Sequence, residues 1–208
     1  MVTEHTPRPA RRAVEPAERG KAADRTREKI LRAAVEEFGA KGYSGARTAG
    51  IAARAGVNQQ LISYHFGGKQ GLLDALRRDW AAAQETRSAP GASFAESFGA
   101  YLDVVGDQPD WSRLVLWQAL GDDPGGSEEQ AEALRTRLAG SVERVAGRQR
   151  DGEITDGVDP EFVMLLSYVL AFAPIALPQH VAGITGRDPL APDYRTWVRD
   201  QLLALLAP

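Results

Sequence analysis

Between Gln59 and Lys69 the chain reads Gln-Gln-Leu-Ile-Ser-Tyr-His-Phe-Gly-Gly-Lys. Two adjacent amides, an aliphatic tip, a phenol, an imidazole and an ammonium fall within three helical turns. Those groups suit a nucleic acid. A glutamine amide can read a base edge in the major groove, and an apolar tip such as Leu61 can meet a thymine methyl. Lys69 opens a predicted helix, where the macrodipole disfavours a cation. A phosphate at the same place reverses the sign, because helix N-termini bind anions. The same residue types also make the solvated face of an ordinary helical hairpin, so their positioning has to decide.

The elements around them read as a helix-turn-helix. Thr48 is placed to cap a short helix over Ala49 to Ala55, with Ile51, Ala52 and Ala55 as its apolar face. Gly56 stands where a tight turn needs positive φ, and Val57 fills the corner. Asn58 then caps a second helix from Gln59 to Phe66, with Ile62 and Phe66 inward and Gln59, Gln60, Leu61, Tyr64 and His65 around the other sides. A preceding helix is expected from Arg25 to Gly39, capped by Asp24 or Thr26 and ended by Lys41-Gly42. Its apolar residues Ile30 or Leu31, Ala34, Val35 and Phe38 recur at helical spacing.

After the Gly67-Gly68 break a long helix is expected from Lys69 to Arg87, with Leu72, Leu73, Leu76, Trp80 and Ala83 in one stripe. Ser88 to Ser93 reads as a linker or turn. The remainder reads as all-helical: a helix through Phe94, Phe98, Tyr101, Leu102 and Val105; a shorter one through Trp111 to Leu120; and a long one capped by Ser127. A helix from Asp159-Pro160 is apolar nearly all round, and Pro174 and Pro178 kink or end it. Gly183 to Pro192 is expected as a loop, and Asp193 to Leu206 as the last helix. These last two helices carry more apolar surface than one small core needs, which suits burial against a second subunit.

Composition bounds the function. The 208 residues include no cysteine, so there is neither a disulfide framework nor a thiolate metal site. The three histidines, His5, His65 and His180, are too scattered for a zinc cluster. No apolar run reaches the roughly 20 residues that span a bilayer, and the N-terminus lacks the apolar core of a secretory signal; a cytoplasmic protein without membrane contact is the expectation. The net charge of −3 hides an asymmetry. Residues 1–87 hold 16 Lys and Arg against 10 Asp and Glu, whereas residues 88–208 hold 9 against 18. A basic N-terminal part suits a polyanion; the acidic remainder does not.

Over Arg27 to Leu76 the sequence resembles the tetracycline-repressor family of transcription regulators. The shared motifs are Phe38-x3-Gly42-Tyr43, Ile51-Ala52-x2-Ala55-Gly56-Val57 and Tyr64-His65-Phe66-x2-Lys69-x2-Leu72. Residues 1–23, rich in Pro, Ala, Arg and Glu without periodicity, are expected to be a disordered basic arm whose Arg8, Arg11, Arg12, Arg19 and Lys21 add minor non-specific attraction to phosphates. The resemblance implies an all-α fold with a helix-turn-helix DNA-binding domain over 24–68 and an effector-binding and dimerisation domain over 69–208. It implies a homodimer on a pseudopalindromic operator, paired through the last two helices, and a ligand-responsive regulator, expected to be a repressor. By motif position Thr48, His65 and Lys69 resemble phosphate-contacting residues, with Arg47 beside them; Gln59, Gln60, Leu61 and Tyr64 occupy base-facing positions. The family usually has tyrosine where this chain has Ser63. Tyr64 stands one residue later, a shift that turns a side chain by about 100°.

An effector pocket in the second domain is expected among Phe98, Tyr101, Trp117, Tyr168 and Phe172, with room left by the neighbouring alanines and glycines. Few charges fall on these faces, so the expected effector is largely apolar. Each of these side chains also suits a plain core. No cofactor motif, Gly-rich phosphate loop, Gly-x-Ser-x-Gly elbow or His-Glu-x-x-His points to an enzyme. A purely protein-binding adaptor would have no use for Gln-Gln, Tyr-His and Lys beside a basic arm.

Overall fold

The computed structural model describes residues 16–85, 91–122 and 125–208. Arg8, Arg11 and Arg12 of the arm, the expected helix end at Arg87, the start of the linker at Ser88, and the middle of the 122–126 loop lie outside these residues, as does the Ala83 side chain. Ten helices and no strand occur among the described residues.

The first helix, α1 (Pro16–Gly45), starts well before the expected Arg25. Its opening residues are proline, then mostly alanine, glutamate, arginine and lysine. That composition reads as a polar arm, yet it also consists of helix formers behind a proline at the first position. Thr26 is no cap: its hydroxyl donates to the Ala22 carbonyl within the helix (2.9 Å). Helical geometry breaks where expected, at Gly42 (φ 69°, ψ 175°).

Three shorter segments follow: α2 (Thr48–Ala55), α3 (Gln60–Phe66) and α4 (Lys69–Glu85). Ile30, Ala34 and Phe38 of α1, Ile51 and Ala52 of α2, Ile62 of α3, and Leu72, Leu73 and Leu76 of α4 bury one core. Two residues of a later helix, Trp111 and Leu114, complete it.

The second core is built by α5 (Phe94–Asp107), α6 (Pro109–Ala119), α7 (Glu128–Arg150), α8 (Pro160–Ala176), α9 (Pro178–Thr185) and α10 (Pro192–Leu205). Ser93 with Glu96, and Ser127 with Gln130, form reciprocal capping boxes that start α5 and α7. Ser127 therefore caps as expected. The α9 helix replaces part of the expected Gly183–Pro192 loop: Pro178 opens it rather than ending α8, after a bend of 100°.

Helix α6 belongs to both cores. Trp111, Leu114 and Val115 pack into the first, and Leu116 into the second. Trp111 stacks on Trp80 of α4 at 4.7 Å between centroids. Gly39 of α1 lies against the Asp110 backbone, so the two helices approach where no Cβ intervenes. The Trp117 indole N–H donates to the Gly39 carbonyl (3.2 Å).

The apolar surplus of the last helix predicts Leu202 and Leu206 at the subunit interface; the structure turns them the other way. Leu202 and Leu206 point inward and are buried within one subunit. The outward apolar residues are instead Phe162, Leu165 and Val169 of α8 and Leu205 of α10, each more than half exposed. Helix α8 is apolar all round: Val163, Ser167, Ala171 and Ile175 are buried, Met164, Leu166, Leu170 and Phe172 pack partly against the same core, and Phe162, Leu165 and Val169 are left outward. No single helix among the described residues is long and apolar enough to cross a membrane.

Candidate nucleic-acid interface

The α2–α3 unit is held from behind by a buried carboxylate. Glu37 of α1 is almost fully enclosed, and its oxygens take hydrogen bonds from Lys41 Nζ (2.6 Å) and Arg54 Nη2 (3.3 Å). The Lys41 bond lowers the Glu37 pKa; burial opposes this, and Arg54 adds to the lowering. Arg54 also reaches Glu36 at 3.3 Å, so the end of α2 is tied to α1 by two carboxylates. The carboxylate of Glu37 rests where a Cβ on Gly50 would stand. These contacts fix α2 against α1, and α2 then carries the turn into α3.

That turn is as the sequence predicts. Gly56 adopts φ 67°, ψ 36° and its N–H bonds back to the Ala53 carbonyl. Val57 is half-buried against the first core. Asn58 Oδ1 accepts from the Gln60 N–H at 2.8 Å, a capping bond at the start of α3. Gln59 already has helical φ and ψ although α3 formally starts one residue later.

Thr48 departs from its expected role. It is the first residue of α2, behind an extended Arg47, and its side chain makes no capping bond. Its Oγ1 accepts instead from Gln59 Nε2 at 2.8 Å. One amide of the Gln-Gln pair is thus pinned across the turn, while Gln60 is exposed with its side chain outside any such bond.

The other predicted residues fall into two sets. Arg47, Gln59, Gln60 and Tyr64 are exposed, the Tyr64 side chain by 81 %. Leu61 is half-buried and packs on the core, so only part of it is available at the surface. His65 is half-buried, with Tyr64 edge-on to it at 5.1 Å. Exposed Ser63 stands beside them.

Lys69 begins α4, half-buried, with its Nζ 4.3 Å from the centre of the Tyr43 ring. Tyr43 in turn stacks on Phe38 at 5.8 Å. Burial lowers the Lys69 pKa, and the nearby Asp122 carboxylate partly restores it. The motif residues Phe38, Tyr43 and Lys69 therefore form one column from the core to the ammonium.

The five residues predicted to line an effector pocket are not together. Tyr101 meets Tyr168 edge-on at 5.1 Å and lies 6.4 Å from Phe172, so α5 and α8 bring those three into one cluster. Burial first, then the neighbouring Tyr168, raises the Tyr101 pKa. Phe98 is buried one turn earlier and stacks on Phe94. Trp117 does not join them: it faces α1 at the seam between the cores. Its spacing on an apolar helix gave no sign of which core that face would meet. A cleft of about 250 Å³ lies between Lys29, Arg32, Glu36 and Arg54, and one of about 120 Å³ between α5 and α10; the Tyr101 cluster lines neither.

Sequence reading missed Glu37 and Asp122. Glu37 stands four residues before Lys41, a visible helical pair, but nothing in that spacing marks it as buried. Asp122 meets Ser44 across 78 residues, which no local signal reports.

Comparison with known proteins agrees along most of the chain. Residues 30–76 match the family model for bacterial regulatory proteins of the tetR family. Residues 95–202 match that for the tetracyclin repressor-like C-terminal domain. The chain is 29 % identical over 182 residues to the HTH-type transcriptional regulator RutR of Escherichia coli strain K12, covering 82 % of this chain and 84 % of that protein. It is 30 % identical over 156 residues to the HTH-type transcriptional repressor SCO4008 of Streptomyces coelicolor, covering 74 % and 80 %. Among solved structures, the regulator SCO4942 of Streptomyces coelicolor superposes with a TM-score of 0.69 at 25 % identity, covering 87 % of this chain and 98 % of that one.

Proposed function

Because the chain belongs to the tetracycline-repressor family, whose members are helix-turn-helix transcriptional regulators, we propose that it represses transcription as a homodimer on a pseudopalindromic operator. The observation that carries this reading is the surface around α3. Gln60 and Tyr64 project from a short helix whose inner residue Ile62 is fully buried, so their direction is set by the core. Arg47, Thr48, His65 and Lys69 surround them with donors suited to phosphates. In this reading Gln60 and Tyr64 read bases, Leu61 offers its exposed edge to a thymine methyl, and Gln59, pinned by Thr48, sets the approach to the backbone.

The outward row of Phe162, Leu165, Val169 and Leu205 supports pairing of two subunits through α8 and α10. The aromatic cluster of Tyr101, Tyr168 and Phe172, with Phe98 beside it, supports a small, largely apolar effector in the second core. A DNA target places the protein in the cytoplasm. The test is genomic footprinting with the purified protein: protection of paired half-sites upholds the reading, and retention of duplexes without any preferred site would exclude an operator.

A further inference from the structure

The loop after α6 brings a carboxylate to the corner between α1 and α2. Asp122 Oδ1 accepts from the Ser44 hydroxyl at 2.5 Å, and both its oxygens stand 3.1 Å from the Ser44 N–H. The corner is shaped to admit it: a Cβ on Gly42 would run into Asp122 Oδ2 and the Trp117 ring. Ser44 follows Tyr43, and the Tyr43 ring is the surface on which the Lys69 ammonium rests.

Burial acts to raise the Asp122 pKa, but bonds from Ser44 and the Tyr43 backbone, with the Lys69 charge, outweigh it and hold the carboxyl below its usual range. It is therefore ionised at neutral pH. The carboxylate comes from the chain that follows α6, the helix shared by both cores, and it acts on the corner whose Tyr43 ring carries Lys69.

We propose that Asp122 is a positioning residue for DNA binding, holding the Tyr43–Ser44 corner, and through it Lys69, in the attitude that presents the ammonium to a backbone phosphate. The inference rests on the reading of α3 and Lys69 as the DNA-contacting surface. An amide in place of the carboxylate keeps one acceptor for Ser44, but it removes the charge and sets a donor –NH2 where the second oxygen stands 3.1 Å from the Ser44 N–H, so the tie loosens and the Tyr43 ring is free to turn from under Lys69. Movement of α6 would displace Asp122 with it, so the same contact couples the second core to the phosphate contact.

Charge alone makes the opposite forecast. A negative side chain near a DNA-facing lysine repels phosphate, so its neutralisation should tighten binding and leave the rest unchanged. Positioning requires that Asp122→Asn weaken it.

The experiment titrates a fluorescent duplex carrying the site that wild-type protein selects from a random-sequence library. The full chain is compared as wild type, Asp122→Asn, Ser44→Ala, Lys69→Ala and the double variant Asp122→Asn/Lys69→Ala. Asp122→Asn is expected to weaken binding about tenfold in the wild-type background and less than about threefold once Lys69 is absent, as for two coupled sites. Ser44→Ala should lose less, in the same direction, and the Ser44 amide should exchange with deuterium faster in Asp122→Asn. Equal or tighter binding by Asp122→Asn overturns the proposal; so does a loss of the same size in both Lys69 backgrounds, the mark of a structural tie alone. Should Asp122→Asn lose helicity by circular dichroism, Ser44→Ala with and without Lys69 makes the same comparison. A wild-type chain that selects no site removes the DNA reading and this proposal together, whereas a wild type that selects one while Asp122→Asn binds it as well removes the proposal only.

Discussion

At the scale of single residues, two side chains nine positions apart should behave oppositely on DNA. Gln60 is exposed at the start of α3 and outside the Thr48–Gln59 bond. Gln60→Ala should change which bases are preferred, at about 1–3 kcal/mol for a lost bidentate contact. Lys69→Ala should weaken all duplexes alike and flatten the dependence of affinity on salt, because one fewer phosphate is neutralised. Titrations of the selected site and a scrambled duplex at several salt concentrations separate the two; equal loss on both duplexes for Gln60→Ala would remove its base-reading role. Glu37 belongs to stability instead. Its pKa is lowered in the fold, chiefly by the Lys41 hydrogen bond, so its stabilising contribution is complete above the unfolded value of 4.5 and is lost as pH falls through the lower folded value. Glu37→Gln should cost about 1–3 kcal/mol at neutral pH, since its partners Lys41 and Arg54 are half exposed and can rehydrate. Thermal melts should show wild type and variant converging below pH 4.5; a constant gap across that range would show that the ion pairs are not the source.

At the scale of elements, the seam between α1 and α6 is the joint of the molecule. Trp80 stacks on Trp111, Trp117 donates to the Gly39 carbonyl, and Gly39 itself touches the Asp110 backbone. A methyl group at Gly39 has no room, because what it meets is main chain rather than a side chain that can turn away. Gly39→Ala should force the two helices apart and destabilise the fold by about 1–3 kcal/mol, the usual cost of overpacking. Three of the four tryptophans sit at this seam, so their fluorescence should shift as well. An unchanged melting temperature with unchanged emission would mean that the seam yields without cost. Helix α4 shares the joint: its early leucines sit in the first core, and Trp80 hands it on to α6. On the proposed reading, an effector signal has two parallel routes to the α2–α3 unit, α4 through its own length and α6 through Asp122.

At the scale of the whole molecule, the proposed dimer rests on the apolar row of α8 and α10. Leu165→Glu or Val169→Glu should yield a monomer that keeps its helicity, because these side chains are more than half exposed in the subunit and belong to neither core. Leu202→Glu is the contrast: it buries a charge in the second core and should unfold the chain rather than separate subunits. Sedimentation velocity at micromolar concentration, beside circular dichroism, distinguishes these outcomes, and a monomeric wild type would sink the dimer. Two recognition helices that dock together lie about 34–36 Å apart, one turn of DNA. Spin labels at position 60 of each subunit should report that separation in the DNA-competent dimer and a shift of several Å when an effector releases DNA. An unchanged distance distribution during release would instead point to a change in rigidity.

Much of this was legible in the chain itself, for a local reason. The turn at Gly56, the break at Gly42, the caps at Asn58 and Ser127 and the inward Ile62 all depend on residues within a turn or two of each other, and short-range sterics and hydrogen bonding decide them. The exposed face of α3 followed from the same periodicity, as did the all-helical class. What the tertiary structure decided were questions of partner. Polar composition could not tell whether Pro16 to Asp24 continued a helix. The apolar surplus of the last helices announced an unfilled face, but the assignment of Leu202 and Leu206 to one side and Leu165 and Leu205 to the other depends on where α5 and α8 pack. Trp117 faces α1, Thr48 bonds to Gln59, and Asp122 reaches Ser44 for the same physical reason: each contact pairs groups that periodicity places on a surface without saying what will cover it.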